Sequence, residues 1–456
     1  MVAKPTKTKQ DDWDALTPDQ KLERRMAAWL STEGIKFASP EAEAAYRERT
    51  GNIADALLLK RTPKRVPVVA GLGSFAEQYC GYSHRDIMYD VNKAIDVMER
   101  CTLDFQTDVV SAGNSYPGRV WEAVDFKLYI WPGHGLSDDA DGVQYVEDEY
   151  MPFEDYDDFI ADPTAYWNRV YLPRVLGTLE PIKRLGYPLA GSGATAAIPG
   201  SMSWYGQPEV QTSLNKMMTA GKEMLDWQQR TGAASRRLAS LGFPTMGGGS
   251  SKAPFDLIGD SLRGTKAIVY DSFRRPDKLL GAMEALVPIL IRMGVETTRM
   301  GACPLVAFAL HKGADGFMSE EQYKTLYWGP LKKVVLGLIK EGLIPRMGAQ
   351  GGYNSRLEII SDLPKGKTLW AFGAETDMKR AKRIMGDVAC ISGNVPASLV
   401  YAGTPEEIRE HSRNLIGVAG KGGGYMFATA SGIPRSTNPE NVRALIQSAK
   451  EFGVYA

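Results

Sequence analysis

The chain is poor in the residues that most often announce a chemistry. Of its 456 residues only four are cysteine and four histidine. Cys80, Cys101, Cys303 and Cys390 lie far apart and form no CxxC pair. That excludes a zinc knuckle and a thioredoxin-type motif, and it fits a reduced, cytoplasmic setting. No apolar run approaches the roughly 18 residues of a membrane-spanning helix, and the opening MVAKPTKTKQDDWD has charges but no apolar core, so it does not read as a secretory signal. Net charge is missing as well. The 54 Lys and Arg balance 54 Asp and Glu, which argues against binding nucleic acid or an anionic membrane through a whole-protein field.

What is present is the composition of an ordinary soluble globular protein, 44% hydrophobic and 24% charged. Residues 1–65 are polar and helix-prone. LTPDQKLERRMAAWL and SPEAEAAYRERTGNIADALLL each open on a Ser/Thr–Pro start, and we read them as an N-terminal helical extension leading into a first buried strand, VPVVAGL. Residues 66–456 form the main domain. Its C-terminal part repeats one signal: LIPRMGA, KTLWAFG, DVACISG and GGYMFATA read as strands, each followed by a helix. Thr404 caps one of these helices with Pro405 at its first position and Glu407 closing a capping box; Asn438 and Pro439 open another. Gly386 ends a third. Strands separated by helices run parallel. Upstream, ACPLVAFAL is a strand and SEEQYKTLYWGPLKKVVLGLIKEG a helix pair capped by Ser319. The middle, residues 130–260, is irregular and carries insertions.

Two parallel architectures compete. A doubly wound nucleotide-binding sheet calls for a Gly-rich turn after its first strand, but GLGSFAEQ lacks the third glycine, and GSGATAA at 191 is followed by Ile198-Pro199-Gly200. The expected fold is therefore α/β, a TIM-type (β/α)8 barrel, whose functional residues lie just past the C-terminal ends of the strands.

That rule gathers Ser74 and Phe75, Asp256, His311 and Asp315, Gln350 and Tyr353, Glu375 and Asp377, Asn394 and Ser431. The competing reading makes them helix caps and turn formers, and for Asp377, Ser319 and Asn438 we prefer it. His311 follows the apolar run Pro304–Leu310, where a cap would more often be Ser, Asp or Asn; an imidazole there has a titration range suited to proton transfer. Both readings stand for it. His134 sits in the Pro/Gly-rich loop WPGHGL. His84 and His411 read as surface positions. The Met-rich NKMMTAGKEMLDW reads as a core helix, with a partner groove as the alternative. No residue cluster suggests a metal site.

GADGFMSEEQYKTLYWGPLKKVVLGLIKEGLIP and ISGNVPASLVYAGTPEEIREH resemble the uroporphyrinogen decarboxylase superfamily. VEDEYMPFEDYDDFIADPTAYWNRVYLPRV and PFDLIGDSLRGTKAIVYDSFRRPDKLL resemble its decarboxylase-like branch associated with corrinoid-dependent methyl transfer. The likeness covers roughly residues 60–456 and implies the barrel. Two departures shape the functional expectation. Haem-pathway decarboxylases carry an Arg-rich loop after the first strand; here GLGSFAEQYCG has no arginine until Arg85, so a four-fold acidic porphyrinogen is not expected. The superfamily's thiol-activating methyltransferases hold zinc on a His-x-Cys pair and a later Cys. Those places read Gly348, Gln350 and Ser431, so zinc through that pattern is not expected.

The resemblance then implies an O-demethylase-type methyltransferase, moving a methyl group from a methoxylated, aromatic compound to cob(I)alamin on a partner corrinoid protein, and a homodimer. A DxHxxG-type motif is absent, so the cobalamin belongs to the partner and the chain is not itself a corrinoid carrier. Cob(I)alamin is a nucleophile in its own right, which leaves the protein to orient the ether and protonate the leaving oxygen. His311, with Asp315 or Glu375 as second group, is the expected catalytic set. Phe75, Tyr79, Trp131, His134, Trp204, Asp256, Gln350, Tyr353 and Asn394 are the expected substrate-binding set. The alternative is a lyase decarboxylating a small acid, for which Arg263, Lys312 and Arg346 would be the pocket cations.

Overall fold

The computed structural model describes residues 13–111, 116–185 and 194–455. The first part of the GSGATAA segment, residues 191–193, lies outside them, as do residues 1–12. Two long helices stand near the start of the described residues. α1 (Pro18–Leu30) starts on a reciprocal capping box between Thr17 and Gln20, with Pro18 at its first position; α2 (Pro40–Leu58) starts on Ser39, whose side chain accepts the Ala42 N–H.

The irregular middle holds a small sheet of β1 (Tyr129–Pro132), β2 (Gly135–Leu136) and β3 (Gln144–Tyr145), with β1 in the centre. The Met-rich segment belongs to a single long helix, α3 (Pro208–Ser240), on which Met218 and Leu225 remain exposed. No helix among the described residues is long and apolar enough to cross a membrane.

The main sheet has six parallel strands in sequence order: β4 (Gly249–Ser250), β5 (Leu305–Leu310), β6 (Ile344–Ala349), β7 (Leu369–Phe372), β8 (Cys390–Ser392) and β9 (Tyr425–Met426). The helices expected between them are present, opened by Ser319, Asp377, Thr404 and Asn438, each of whose side chains accepts a helix-terminal N–H. VPVVAGL does not form a long strand; it meets β9 through a parallel bridge between Val68 and Phe427. Backbone bonds lead on past both sheet edges: Phe427 N–H donates to Pro67 at 2.8 Å, Asp108 N–H to Val68 at 2.9 Å, and Val110 N–H to Pro244 at 2.9 Å. Beyond Pro244 the chain runs into β4, which pairs with β5.

Strand alternation divides the apolar residues into two populations. Val306, Phe308, Leu310, Met347, Trp370, Phe372 and Ile391 point outward and join the large core beneath the helices. Leu305, Ile344, Leu369, Cys390 and Met426 point inward at the N-terminal end of the sheet. There they form a second core with Leu22, Met26 and Trp29 of α1 and Ile53, Ala56 and Leu57 of α2. Further along the inner face the side chains shrink: Ser250, Ala307 and Ala309 are exposed although they lie within strands.

Two of the histidines depart from expectation. His84 is buried, its Nδ1 2.9 Å from Glu77. His411 is half-buried with Nε2 enclosed, and burial lowers its pKa. The partner of His84 stands on a separate short helix, Phe75–Tyr79, which the periodicity of its own segment did not reveal.

Candidate active site

The C-terminal end of β5 is held by one carboxylate. Asp256, fully buried, accepts the backbone N–H of His311 at 3.1 Å, that of Lys312 at 3.0 Å and the Tyr327 hydroxyl at 2.7 Å. Burial, and after it the neighbouring Asp260, pushes the Asp256 carboxyl up. These three donors fix where the strand stops and therefore where the imidazole begins.

Asp256 leads into a wide helical turn, Leu257–Leu262, in which the Arg263 N–H reaches back five residues to the Ile258 carbonyl at 2.8 Å. That turn carries Asp260 over the strand end. One oxygen of Asp260 lies 2.7 Å from His311 Nδ1 and takes Lys252 at 3.0 Å; the other takes Lys312 at 2.6 Å. Burial alone would raise this carboxyl, but the hydrogen bond from His311 and the charges of Lys252 and Lys312 outweigh it and hold it well below the usual carboxylate range. An ionised carboxylate only accepts, so Nδ1 of His311 carries the proton it shares with Asp260. Nε2 is the ring atom left for exchange with a bound molecule.

The cluster opens onto a cavity of about 420 Å³, lined among others by Tyr129, Tyr145, Glu147, Lys252, Asp260, His311, Lys312 and Gln350. Burial pushes the hydroxyls of Tyr129 and Tyr145 up, so both remain neutral donors. Tyr145 donates to the Asp260 carbonyl, which ties the inserted sheet to the strand end. The arrangement can orient a polar molecule and exchange a proton with it; it presents no thiol.

Of the expected residues, the structure brings His311 and Gln350 together. Asp315 is held by the next loop, accepting from the Ser355 hydroxyl at 2.6 Å and its N–H at 3.2 Å. Glu375 is exposed, and its carbonyl accepts from Asn354 at 2.9 Å. Neither lines the cavity. Phe75 and Tyr353 are packed fully into the core, and Asp256 is spent on backbone, so none offers a surface to a ligand. Asn394, past β8, donates to the carbonyls of Gly373 and Thr376, each at 2.8 Å, and is spent on holding the loop that follows β7. Tyr79 turns away, bonding Asp104 at 2.9 Å and meeting the Phe105 ring at 4.9 Å. Trp204 sits on the helical turn Ser201–Gly206 ahead of α3.

Trp131 and His134 form a separate aromatic group. Their rings stack at 4.7 Å, Trp131 donates to the Tyr89 hydroxyl at 3.0 Å, and Glu122 takes Tyr89 at 2.6 Å and His134 at 2.7 Å. Burial and then Glu122 push the Tyr89 hydroxyl up to about 12.

Four participants escaped the sequence reading. Asp260 stands four residues after Asp256, a spacing that puts two carboxylates on one helical face, and that was the available signal. Lys252, Tyr129 and Tyr145 had none, since the first follows a two-residue strand and the other two belong to the inserted sheet.

Residues 212–452 match the family model described as uroporphyrinogen decarboxylase (URO-D). Among curated proteins, the uroporphyrinogen decarboxylase of Saccharophagus degradans is 28% identical over 208 residues, 45% of this chain and 54% of that protein. That of Cellvibrio japonicus is 26% identical over 208 residues, with the same shares. The chain spans about half the length of these curated relatives. Among solved structures, a methyltransferase from Methanosarcina mazei is similar with a TM-score of 0.54, over 90% of this chain and 98% of that one, at 15% identity. The last is a likeness of fold.

Proposed function

The chain belongs to the uroporphyrinogen decarboxylase family, and from that premise we propose that it is a methyltransferase that takes a methyl group from a methoxylated, aromatic compound and passes it to cob(I)alamin on a partner corrinoid protein. In this reading residues 66–456 are a closed (β/α)8 barrel and residues 1–65 its helical extension, the hydrogen bonds from β9 through Val68, Asp108 and Pro244 toward β4 supplying the closure.

The observation that carries the proposal is the His311–Asp260–Lys312 cluster at the end of β5. Demethylation of an ether breaks the bond between the methyl carbon and oxygen, leaves the electron pair on oxygen, and needs a proton there. The partner's cob(I)alamin supplies the nucleophile, and the chain supplies the acid. Asp260 fixes the ring through Nδ1 and stabilises the imidazolium; Nε2–H is the proton placed for the departing oxygen. Lys312 and Lys252 favour the developing oxyanion. Tyr129, Tyr145 and Gln350 line the space where the aromatic ring is held. The loop GLGSFAEQYCG, without arginine, supports a substrate other than a porphyrinogen.

A second reading, decarboxylation of a small acid, draws support from the two lysines on the cavity wall. Of the cations first considered for it, Lys312 is there, whereas Arg263 is consumed by Asp271 at 2.7 Å and by Glu149. Anaerobic mixing of the protein with cob(I)alamin, free and on a corrinoid protein, and a panel of methoxylated aromatics decides between them. Methylcobalamin formed from one donor supports methyl transfer. Carbon dioxide released without any change in the cobalt spectrum would put the lyase in its place.

A further inference from the structure

Arg346 stands on the inner face of the sheet, paired in register with Ala307 of β5 and Leu369 of β7. Barrel interiors are ordinarily filled by branched side chains. Here the positions around and above Arg346 are Ala307, Ala309, Ser250, Gly348 and Ala371. The first three are exposed and the other two half-buried, so a hollow descends from the strand ends into the sheet. Below Arg346 the second core, which includes Cys303, closes it.

The charge on Arg346 is uncompensated. It makes no hydrogen bond or ion pair with any described residue, and none of its nitrogens is among the enclosed atoms without partners, so the guanidinium is reached from the hollow. Other arginines drawn out of water each have a partner: Arg65 has Asp108 at 2.6 Å, Arg263 has Asp271 at 2.7 Å, and Arg25 has the Glu341 carbonyl at 3.1 Å. A cation half-removed from water without a partner is costly, and a carboxylate matching its two-pronged donor geometry offsets that cost.

We propose that Arg346 forms an anion subsite at the floor of the hollow and takes a carboxylate at the end of the substrate remote from His311. This rests on the methyltransferase reading and adds to it the polarity and length of the molecule. Along β5 the Arg346 level, at Ala307, and His311 are four residues apart, about 13 Å of strand. A molecule engaged at both ends carries its carboxylate and its methoxy group on opposite sides.

The test measures binding by calorimetry without cobalamin, using 4-methoxybenzoate, its neutral isostere 4-methoxybenzamide, and 2-methoxybenzoate. We expect the 4-methoxybenzoate to bind about 10- to 100-fold more tightly than the amide, and the adjacent-substituted isomer to bind as well but, in the separate assay with cob(I)alamin, to give no methylcobalamin. Arg346→Met abolishes the carboxylate preference, and Arg346→Lys, which keeps the charge but loses the fork, retains part of it. Equal affinity for benzoate and amide in the unaltered protein overturns the subsite without recourse to any variant. So does a preference that survives Arg346→Met, which would place it on Lys252 and Lys312. A preference that depends on Arg346 but no methyl transfer from any donor keeps the subsite and removes the methyltransferase; methyl transfer from neutral ethers with no carboxylate preference does the reverse.

Discussion

Replacing Asp260 with asparagine removes one charge and almost no volume, so it isolates the electrostatics of the cluster. Its carboxylate serves Lys312 at 2.6 Å, His311 at 2.7 Å and Lys252 at 3.0 Å. Lys312 and Asp260 have side chains only 9% and 12% exposed, so the variant leaves an ammonium largely out of water. Breaking a fully buried pair costs about 3–5 kcal/mol. Lys252, 31% exposed, and the open cavity admit solvent that screens part of the loss, and we expect about 2–4 kcal/mol. With about 2.1 cal/mol/K of unfolding entropy per residue, a chain of 456 residues loses roughly 1 °C of midpoint per kcal/mol. Calorimetry should therefore record a fall of about 2–4 °C near neutral pH.

The pH dependence supplies the control. The folded state holds the Asp260 carboxyl below its unfolded value of about 3.9. Its contribution is therefore complete above that value and is lost as pH falls toward the folded-state pKa. The asparagine variant lacks it at every pH, so the gap between the two proteins should narrow below about pH 4. In a cycle with Lys312→Met the two changes should couple by at least about 1 kcal/mol. A gap that stays constant from neutral to acid, or strictly additive single changes, would show that the three contacts to Asp260 hold nothing together.

Three further outcomes follow from the same geometry. On the proposed methyltransferase reading, His311→Gln should slow methyl transfer about 10²- to 10⁴-fold with little change in KM; a loss below tenfold removes the imidazole from proton transfer. Tyr327→Phe deletes the 2.7 Å donor to buried Asp256 and should cost about 1–3 kcal/mol in urea unfolding with the slope unchanged. An unaltered midpoint would mean that the two backbone donors suffice. Gly313→Ala places a methyl 2.6 Å from the Tyr327 ring and 2.6 Å from the Tyr353 hydroxyl, both side chains fully buried, and should cost about 1–3 kcal/mol; a neutral result would show that the tyrosine pair can yield.

The regular parts of the fold were legible because local chemistry governs them. Thr404, Asn438, Asp377 and Ser319 cap where their side chains and the apolar spacing behind them required. The strands from β5 to β8 appeared where apolar runs ended in glycine or a polar residue. Legibility failed where long-range packing decides. VPVVAGL was visible as apolar, but its pairing with β9 is confined to one bridge, and nothing local limits it. In the site, position past a strand end located His311 and Gln350 but could not tell an open surface from a core one. Phe75, Tyr353 and Asp256 satisfy the same rule as His311, and the core claims all three. The inserted sheet, which brings Tyr129 and Tyr145 over the strand end, has strands of two to four residues. That is too short for a periodicity to emerge.

The two N-terminal helices press Leu22, Met26, Trp29, Ile53 and Leu57 against the inward residues at the start of the main sheet. They act as a stopper. If the sheet closes as proposed, a hollow stoppered at one end is a blind vessel, and everything that enters it leaves by the same mouth. If substrate descends first and a large partner then covers that mouth, the demethylated product stays below the partner until the partner lifts away. The order of loading and release is then imposed by the plug at the far end, tens of residues away in sequence from any group that touches the reaction. Removing α1 and α2 would expose the apolar floor made by Leu305, Ile344, Leu369, Cys390 and Met426, and leave the strands alone to close that end.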